Sequence, residues 1–532
     1  MSAPKFFLLL VFLSTPTIFS EVFAQEFNFK IIFPVGYALY SIFWAGIFSA
    51  IIFGVAKINK AAAKFLQFAI LAICAIIFLA DAFALNYYGA LINRTMLEII
   101  LATNANEASE FFLAYVLQPK FLAIVLLAAT IFFAICKIQL PRVKEKFAAI
   151  FLILIFIIVG TRLIKNPAQV FENGNSAFRL AIILPEVLKN MKAYEKLAAS
   201  ANHQVTITKN ESNLPLVIFI LGESTTRNHM QLYGYDLPTT PKLVERNLRG
   251  ELNIFSDTVS PHSHTMPVLR KLFTFQRKEN ENENLNACNF FDILNAAGYY
   301  TAWLSNQEAS GIFGNFGRLY AETCQSRKFT RLRDSKEEKF ALLDEKILPL
   351  FDEELKNFRE KSFYVLHLMG THSIYNRRYP AAFEKFTAEN PTRANYDNAV
   401  LYNDFIVDEI IKRVENLDAV VVYISDHGED VFDDKDFAGH YESSPSRFMI
   451  EIPFIIWTSQ KFRTLHADTE KRIAAAVDKP FMTDDIIYFL MDMLKIETSD
   501  FQATLSPLDE NYNSARQRIY GGKIYDKEQG LH

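Results

Sequence analysis

Long apolar stretches fill the first third of the chain and constrain its fold more than any other feature of the sequence. Each of them approaches the ~20 residues that a helix needs to cross the hydrocarbon core of a membrane. We therefore predict five transmembrane helices, at about 6–24, 36–56, 65–86, 121–138 and 147–164. The first stretch also fits a cleaved secretory signal, because Lys5 precedes its apolar run and Val22-Phe23-Ala24 reads as a cleavage site.

Basic residues in the short loops set the orientation of these helices, because cytoplasmic loops retain Lys and Arg. They are Lys57, Lys60 and Lys64 between the second and third stretches, and Lys137, Arg142, Lys144 and Lys146 between the fourth and fifth. We therefore predict that both loops and the N-terminus are cytoplasmic and that everything after Arg162 is external. In a Gram-negative bacterium, the chain would span the inner membrane and place its C-terminal part in the periplasm.

The rest of the chain divides into a linker and a large external part. Within the predicted linker, 166–212, the stretch Ala177–Ala199 carries apolar positions at helical spacing with basic residues between them. This pattern fits a helix at the membrane surface, and it fits an ordinary packed helix equally well. We predict a membrane domain at 1–165 with an external loop at 89–120, then the linker, then an external catalytic domain at 213–532.

Charge and cysteine content exclude several classes of protein. The 55 Lys and Arg against 59 Asp and Glu give a formal net charge of −4 over 532 residues, which excludes a globally basic nucleic-acid binder. None of the four cysteines lies in a CxxC pair, which argues against a cysteine-ligated zinc site or a thioredoxin-like motif. Cys288 and Cys324 lie in the external part, where they form either a disulfide or two free buried thiols.

Beyond residue 213, short apolar runs alternate with helical patterns. The runs are Leu216–Leu221, Tyr299–Leu304, Phe363–Met369, Ala419–Ile424 and Pro453–Trp457, and a further strand is predicted at Leu252–Val259. Continuous apolar runs of this length are typical of buried strands, so we predict an α/β domain with a mostly parallel central sheet and helices on both faces. Ligands bind such sheets beyond the carboxyl ends of the strands.

Two of the predicted strands are followed by side chains that can bind a metal. Glu223 follows the first strand, and Asp426 and His427 follow the fourth. These side chains would meet at one edge of the sheet and offer oxygen and nitrogen ligands to a divalent metal. Taken singly, Glu223 also fits a helix cap, and the run Ser-Asp-His-Gly fits a turn. Their joint occurrence favours the metal site.

Histidine and hydroxyl side chains complete the candidate site. His372 follows the third strand, and His440 lies a little beyond the Asp-His pair. Thr265 ends the run Ser-Pro-His-Ser-His-Thr after a predicted strand, and a bound metal can hold its hydroxyl as the nucleophilic alkoxide. Thr225 and Thr226 are rival nucleophiles, although hydroxyls in their position are more typical of helix caps.

The order of these motifs resembles the membrane-bound phosphoethanolamine transferases of the alkaline phosphatase and sulfatase superfamily. The matching segments are GES-x-x-R, LYGY and TTP, then S-P-x-x-x-T, W-L-S-N-Q, H-x-x-G-x-H, and SDHGE with a later GH. The resemblance covers nearly the whole chain, including the five predicted spans before an external domain. The S-P-x-x-x-T form looks most like the branch that modifies the core sugars of lipopolysaccharide.

This resemblance implies an activity and a set of site residues. The activity is transfer of phosphoethanolamine from phosphatidylethanolamine to lipopolysaccharide, at a core sugar or lipid A, or to another surface glycan. By match to the family motifs, the zinc ligands are Glu223, Thr265, Asp426 and His427, the nucleophile is Thr265, and the histidines around the transferred group are His372 and His440. One tightly bound zinc ion is expected, and a second, weaker ion near the two histidines stays open.

The external loop at 89–120 resembles the segment of this family that helps to bind the lipid donor. Its TNANEA run, which begins at Thr103, is similar to the family pattern T-N/D-x-x-E-A. On a helix, Thr103 and Glu107 lie one turn apart, so both can face the ethanolamine ammonium. The chain carries Ile99 where relatives that act on lipid A usually have an asparagine, and it has fewer external cysteines than they do. The acceptor is therefore the least determined part of the resemblance.

Three other functions are compatible with parts of the sequence. A sulfatase-like or phosphodiesterase-like hydrolase would use the same metal site with water as the acceptor, and a phosphoglycerol-type transferase is a second alternative. The five spans and the donor-like loop favour a lipid substrate. A membrane-tethered scaffold with a degenerate site is disfavoured because the whole set of ligands and the nucleophile is present.

Overall fold

The chain forms two compact units. In the computed structural model, the first consists of Met1–Leu101 and Asn106–Ala193, and the second of Ala102–Ala105 and Tyr194–His532. The structure describes residues 1–23, 32–103, 108–109, 111–139, 145–199, 205–280, 288–308, 316–331, 343–442 and 445–528.

Helices form most of the described part of residues 1–199. They are α1 Ala3–Leu13, α2 Thr15–Phe23, α3 Ile32–Ile58, α4 Lys60–Tyr88, α5 Arg94–Ala102, α6 Pro119–Lys137, α7 Glu145–Lys165, α8 Pro167–Glu172 and α9 Ser176–Ala199. Local sequence sets both ends of α4. The Asn59 side chain accepts hydrogen bonds from the first N–H groups of the helix, and Gly89 ends it with a φ of +64°, which favours glycine.

Among the described residues, four helical stretches are long and apolar enough to cross a membrane. They are Ala3–Ser20, Pro34–Ile58, Lys60–Tyr88 and Pro119–Lys137. The first is interrupted between α1 and α2, because Pro16 has no N–H to donate to the carbonyl of Phe12. The hydroxyl of Thr15 donates to that carbonyl instead, at 2.8 Å. The fifth predicted span lies within α7 and stays a prediction.

Two helices, α8 and α9, occupy much of the predicted linker. Arg179, Ile183 and Val187 of α9 are buried, and this part of the helix belongs to the first unit. Burial on that scale favours the packed-helix alternative over a helix at the membrane surface for the first half of α9.

The second unit is built on short strands and ten helices within its described residues. The strands are β1 Ile207–Asn210, β2 Leu216–Gly222, β3 Leu252–Ile254, β4 Thr258–Val259, β5 Tyr300–Glu308, β6 Ser326–Arg331, β7 Ser362–His367, β8 Ala419–Ser425, β9 Asp430–Val431, β10 Ala438–Gly439, β11 Phe454–Thr458, β12 Phe481–Met482, β13 Ile496–Thr498, β14 Ile519–Tyr520 and β15 Lys523–Ile524. The helices are α10 Pro241–Leu248, α11 Thr265–Leu272, α12 Phe290–Ala296, α13 Phe316–Thr323, α14 Ile347–Leu355, α15 Pro391–Val414, α16 Gln460–Leu465, α17 Ala467–Ala476, α18 Ile486–Leu494 and α19 Tyr525–Glu528.

A seven-stranded sheet in the order β3-β11-β8-β2-β7-β5-β6 forms the centre of this unit. The strands from β8 to β6 run parallel, whereas β11 is antiparallel to both of its neighbours. The predicted fold class, an apolar helical region followed by an α/β domain with a mostly parallel sheet, is confirmed. Its parallel centre places the carboxyl ends of β2, β7 and β8 side by side.

Helices cover both faces of the sheet, so its central strands are buried on both sides. Along β2, Val217, Phe219 and Leu221 belong to one hydrophobic cluster, and Leu216, Ile218 and Ile220 belong to the cluster on the opposite face. The alternation follows from the two-residue period of a strand. Every residue of β2 is therefore apolar, which explains the continuous run in the sequence.

The strand predicted at Leu252–Val259 is wrong as a single element. β3 lies at the edge of the central sheet beside β11, whereas β4 pairs with β12 in a separate two-stranded sheet. Between them, the N–H of Ser256 donates to the carbonyl of Val477, at 2.9 Å, so the backbone has already changed partners. The apolar pattern of the sequence continues from β3 into β4, so the sequence does not indicate that the strand-pairing partner changes.

The two cysteines of the second unit, Cys288 and Cys324, are free thiols in the structure. Cys324 is buried, and Cys288 is partly buried against the same core cluster. Burial raises the pKa of the Cys288 thiol to about 12, and it raises that of Cys324 as well. Of the two alternatives, the structure contains the pair of free thiols.

Candidate active site

The carboxyl ends of β2 and β8 bring the first candidate ligands together. Gly222 pairs in register with Ser425, so Glu223 and Asp426 leave the sheet side by side. The chain turns sharply after Glu223, where Ser224 takes a φ of +57°. Gly370, with a φ of +51°, packs against this turn, and a Cβ there would lie 2.6 Å from the carbonyl oxygen of Glu223. The turn therefore requires glycine at position 370.

Thr265 is the first residue of α11 and places its hydroxyl against these ligands. Its Oγ1 lies 3.1 and 3.2 Å from the two carboxylate oxygens of Glu223, and 3.3 Å from Nε2 of His427. A helix N-terminus also presents unsatisfied N–H groups and a positive dipole end, which favour a negatively charged group beside it. The nucleophile predicted from the sequence therefore lies at a point suited to a phosphate.

The two carboxylate oxygens of Asp426 differ in their contacts. Oδ1 accepts hydrogen bonds from the backbone N–H groups of Ser224 and His427, at 3.0 and 2.7 Å. Oδ2 is buried without a hydrogen-bond partner among the described residues, and lies 3.4 Å from Nε2 of His427. A buried carboxylate oxygen without a partner is costly, and it is the arrangement expected of a metal ligand.

The tautomer of His427 also suits metal binding. Its Nδ1 lies 2.8 Å from the carbonyl oxygen of Gly428. Because a carbonyl can only accept, Nδ1 carries a proton, and in the neutral ring Nε2 offers a lone pair toward Glu223 and Asp426. Ligand atoms from Glu223, Asp426 and His427 all lie within 4.8 Å of one another. Together with Thr265, they form an oxygen and nitrogen set that fits a tetrahedral divalent ion.

The two neighbouring carboxylates of Glu223 and Asp426 influence the pKa values of this cluster. Burial and the neighbouring Glu223 carboxylate raise the pKa of Asp426. Burial would also raise the pKa of Glu223, but its hydrogen bond to His427 and the charge of that ring lower it. For His427, burial acts to lower the pKa, whereas Asp426 and Glu223 raise it to about 10. Two buried carboxylates around one ring favour a positive charge at their centre.

His440 lies beside this cluster and is oriented by a carboxylate. Its ring centroid is 4.2 Å from that of His427, and its Nδ1 lies 2.7 Å from Oε2 of Glu429. The other oxygen of Glu429 accepts a hydrogen bond from the hydroxyl of Tyr375, at 2.7 Å. Burial and the charge of His427 hold the pKa of His440 well below its usual value. Glu429 thus fixes the ring and leaves Nε2 for chemistry.

His372 lies at the rim of the same cluster. It is half-buried, and its Nδ1 lies 3.4 Å from the hydroxyl of Ser373. After the effects of burial and of His427, the charge of His372 lowers the pKa of Glu223. The structure therefore brings Glu223, Thr265, Asp426, His427, His440 and His372 to one place.

The hydroxyls of the rival nucleophiles, Thr225 and Thr226, contact backbone carbonyls. Thr225 and Thr226 are both fully buried. The hydroxyl of Thr225 lies 3.3 Å from the carbonyl of Glu223, and that of Thr226 lies 3.2 Å from the carbonyl of Glu451. Both hydroxyls hold the backbone, which disfavours them as nucleophiles.

Three residues of the site were missed by the sequence reasoning. Gln307, at the end of β5, donates from Nε2 to Oε2 of Glu223, at 3.2 Å. His264 packs its ring against His440, with centroids 4.6 Å apart. Glu429 orients the ring of His440. Gln307 and Glu429 lie in the motifs W-L-S-N-Q and SDHGE, but nothing in those motifs states which side chains turn toward the metal ligands.

The two residues predicted to bind the donor, Thr103 and Glu107, are far from these ligands along the chain. Thr103 directly follows α5. Glu107 lies outside the described residues, so its role stays a prediction.

Comparisons with known proteins identify the family. The family model for sulfatases matches residues 215–496, and the model for the phosphoethanolamine transferases EptA/EptB matches residues 17–182. Phosphoethanolamine transferase EptC of Escherichia coli K12 is 28% identical over 491 residues, which cover 85% of this chain and 84% of the relative.

Solved structures agree with this assignment. The C-terminal periplasmic domain of EptC from Escherichia coli, in complex with Zn, is 26% identical, with a TM-score of 0.56, covering 62% of this chain and 99% of that domain. The integral membrane protein lipooligosaccharide phosphoethanolamine transferase A of Neisseria meningitidis shares the fold over 95% of this chain and 98% of its own, with a TM-score of 0.66 and 22% identity.

These matches cover both the apolar helices and the α/β domain. The chain is a multi-pass membrane protein with a separate C-terminal domain. It belongs to the sulfatase family, and within it to the membrane-bound phosphoethanolamine transferases of the alkaline phosphatase superfamily.

Proposed function

We propose that this enzyme transfers phosphoethanolamine from phosphatidylethanolamine to lipopolysaccharide, with Thr265 as the covalent carrier. The observation that carries the proposal is the position of the Thr265 hydroxyl, 3.1 Å from Glu223 and 3.3 Å from His427 in a buried set of metal ligands. Transfer as the reaction is supported by EptC of Escherichia coli, which is named a phosphoethanolamine transferase. Lipopolysaccharide as the acceptor is supported by the Neisseria relative, which is named for lipooligosaccharide.

A single zinc ion would be held by Glu223, Thr265, Asp426 and His427. Zinc is favoured by the chemistry of the donors and by the zinc complex of the related EptC domain. When bound, zinc would supply the positive charge that makes the Thr265 hydroxyl acidic enough to react. A second, weaker ion near His372 and His440 is a further part of the proposal, and it is supported by a second group of ligand atoms, from His427, Glu429 and His440, that lie within 4.8 Å of one another.

The reaction then divides into two displacements at phosphorus. In the first, the Thr265 oxygen bonds to phosphorus, and the bond to the diacylglycerol oxygen breaks. The proton that Thr265 loses balances the proton that the departing oxygen gains, and His440 or His372 is placed to deliver it. In the second, an acceptor oxygen attacks the phosphoethanolamine ester of Thr265, gives up its proton, and restores the hydroxyl. Such a scheme gives ping-pong kinetics.

The remaining parts of the proposal concern the membrane. Thr103 and Glu107 of the external loop would bind the ethanolamine ammonium, and the protein would lie in a bacterial inner membrane. The basic loops favour a cytoplasmic N-terminus and a catalytic domain in the periplasm. A core sugar, lipid A or another surface glycan would serve as the acceptor.

A hydrolase with the same metal site is the second candidate. The sequence at 443–447 reads Ser-Ser-Pro-Ser-Arg, which fits the C/S-x-P-x-R pattern of sulfatase nucleophiles. The nucleophile position of that pattern is its first residue, Ser443, which lies outside the described residues. The Thr265 hydroxyl lies 3.1 Å from Glu223 and 3.3 Å from His427, so we favour transfer through Thr265.

The test uses the full chain in vesicles that contain phosphatidylethanolamine labelled in its headgroup, with lipopolysaccharide added. We expect labelled lipopolysaccharide and diacylglycerol, and we expect Thr265→Ala to lose activity by several orders of magnitude while it keeps its metal. Thr265→Ser retains a hydroxyl and serves as the matched control, with part of the activity. Release of free phosphoethanolamine without labelled acceptor would instead identify a hydrolase.

A further inference from the structure

A buried ion pair joins two helices of the first unit. Nη2 of Arg179, on α9, lies 2.5 Å from Oδ2 of Asp81, on α4, and the two side chains are 9% and 0% exposed. Removing two charges from water is costly, and a membrane helix rarely carries such a residue without a function. Nothing in the proposed chemistry uses this pair.

The second carboxylate oxygen of Asp81 holds the backbone at the start of the external loop. Oδ1 accepts a hydrogen bond from the N–H of Ile92, at 3.1 Å. Directly after it, Asn93 accepts a hydrogen bond from the N–H of Met96, at 3.0 Å, and so caps α5. One carboxylate therefore connects α9 to the point where α5 begins.

Apolar contacts support the same connection. Ile92 and Met96 are buried against Ala84 of α4, and Leu97 of α5 and Leu180 of α9 pack against this cluster. Leu180 is the neighbour of Arg179 in the sequence, so the ion pair and the apolar contacts act at one turn of α9. The helix that α9 supports, α5, ends at Ala102, immediately before Thr103.

Arg179 also forms a hydrogen bond to α2. Its Nη1 donates to the hydroxyl of Thr17 on α2, at 3.4 Å, and that hydroxyl lies 3.1 Å from Oγ of Ser176. All of these residues belong to the first unit. The guanidinium is thus fixed by α2 and α9, and it fixes Asp81 in turn.

We propose that Asp81 and Arg179 are positioning residues for the phospholipid donor. They hold α5 in one place, and Thr103, which directly follows α5, is the described residue of the proposed contact with the ammonium of the headgroup. This inference rests on the proposed function. When the binding-competent position of a segment is populated only in part, the apparent KM rises by the inverse of that fraction. Loss of the pair therefore acts on donor KM and not on the chemistry of the catalytic domain.

The decisive variant is Asp81→Leu/Arg179→Leu in the full chain. Replacing both charges by apolar side chains leaves no unpaired buried charge, and such replacements are often neutral for folding. It removes the acceptor for the N–H of Ile92. We expect the KM for phosphatidylethanolamine in vesicles to rise by about tenfold or more, with hydrolysis of bis(p-nitrophenyl) phosphate and zinc content unchanged.

Two further variants keep the inference falsifiable. Asp81→Arg/Arg179→Asp restores an ion pair but cannot accept from Ile92, so we expect normal accumulation with a raised lipid KM. The matched control is Arg94→Leu/Glu186→Leu, which removes the exposed ion pair between α5 and α9, 2.8 Å long. An exposed pair contributes little, so its lipid KM should stay within about twofold of the wild type.

A wild-type lipid KM in both variants of Asp81 and Arg179 would overturn the inference, and so would a parallel loss of soluble phosphodiester hydrolysis. If the double-leucine variant fails to accumulate, the charge-swapped variant decides by the same two readouts. A wild-type chain that hydrolyses the soluble phosphodiester but never turns over the bilayer lipid would refute the proposed function itself, whatever the variants do.

Discussion

Asp426 shows how backbone contacts prepare one side chain for its task. Two N–H groups fix Oδ1 and thereby aim Oδ2, which is buried without a hydrogen-bond partner among the described residues. A carboxylate held in this way loses no further conformational freedom when it binds a metal. The same residue therefore stabilises the turn after β8 and is a proposed metal ligand, and these two tasks can be separated by substitution.

Asp426→Asn is expected to separate them. Asparagine has the same shape and can still accept from Ser224 and His427, so the fold should persist, but its neutral amide is a poor ligand. Metal affinity should fall by more than the roughly 10–100-fold that loss of an outer-shell partner costs. Metal content after dialysis against a graded chelator measures this. Asp434→Asn, an exposed position, is the control, and equal metal content in the two variants would contradict the assignment.

At the scale of elements, the central strands could be predicted because each consists almost entirely of apolar residues. Leu216–Leu221 was expected and Leu216–Gly222 is observed. The break after Ile254 could not be predicted, since it depends on hydrogen bonds to Val477 and Phe481, more than two hundred residues away. The pairing of β1 with β13 is equally non-local. Apolar patterns along the chain indicate which residues are buried, but they do not indicate which strands pair with each other.

Some residues of the candidate site could be predicted from the sequence, and others could not. Glu223, Asp426 and His427 could be predicted because parallel strands place their carboxyl ends together. The choice of Thr265 over Thr225 needed the family resemblance at first, and in the structure it follows from which hydroxyl is free of backbone carbonyls. The role of Glu429 could not be read from the sequence, since it depends on a loop that returns His440 to the cluster.

Glu442 links that loop to the loop of the nucleophile. Its Oε2 accepts hydrogen bonds from the N–H and the hydroxyl of Ser263, at 2.9 and 3.2 Å, and Oε1 lies 2.6 Å from Nδ1 of His262. Burial acts to raise the pKa of Glu442, but the charge of His262 and that of Lys278 lower it to about 2. The carboxylate therefore stays charged and fixes the loop before Thr265 relative to the loop that carries His440.

Glu442→Ala should thus slow the reaction without removing the metal. A displacement of about 1 Å at a nucleophile costs on the order of 100-fold in rate, so we expect kcat on a soluble phosphodiester to fall by about 10–100-fold. Metal content should stay at the wild-type level. Glu510→Ala, at an exposed position, should match the wild type. Unchanged kcat in Glu442→Ala would show that the two loops are positioned independently.

His229 supplies a pH-dependent contact in the catalytic domain. Its ring is buried between Asp397 and Asp433, at 2.6 and 3.0 Å. Tyr235 donates to Asp397, and Arg393 contacts Asp433. Burial acts to lower the pKa of His229, but the two carboxylates raise it above its usual value. The protonated ring therefore stabilises the fold below the unfolded pKa of about 6.5.

This contribution should be lost as pH rises through the raised pKa of the folded state. We expect the thermal midpoint of the full chain in detergent to decline as pH rises above about 6.5, and His229→Gln to be less stable at the acidic end with a flatter profile. His466→Gln, at a ring that contacts the single carboxylate of Asp418, is the control. Identical profiles for the wild type and His229→Gln would contradict the argument.

The whole molecule raises the question of why a catalytic domain should carry so many apolar helices. One span of ~20 residues is enough for an anchor, and four candidate spans are present among the described residues alone. The phosphate of a phospholipid lies at the bilayer surface, so an enzyme that acts there benefits from helices that hold the donor in place. Removing the membrane part should therefore reduce activity on the lipid far more than activity on a soluble substrate.

A soluble chain for this comparison should begin near Val205, before β1. β1 pairs with β13, and Lys209 on β1 lies 3.2 Å from Glu497 on β13, so a later start would remove a strand of the fold. We expect this chain to hydrolyse a soluble phosphodiester at a rate similar to the full chain, because all four proposed metal ligands are present. Its activity on bilayer phosphatidylethanolamine should fall by several orders of magnitude, because the positioning of donor and nucleophile in one molecule is lost.

Glu107→Ala in the full chain completes the comparison, with Glu98→Ala, on α5, as its control. If Glu107 binds the ammonium, its loss should raise the KM for the lipid and leave soluble phosphodiester hydrolysis unchanged, since the soluble substrate has no ammonium. A truncated chain that acts on the bilayer lipid as well as the full chain does would show that the membrane helices only anchor the enzyme. Equal lipid KM values for Glu107→Ala and Glu98→Ala would place the headgroup elsewhere.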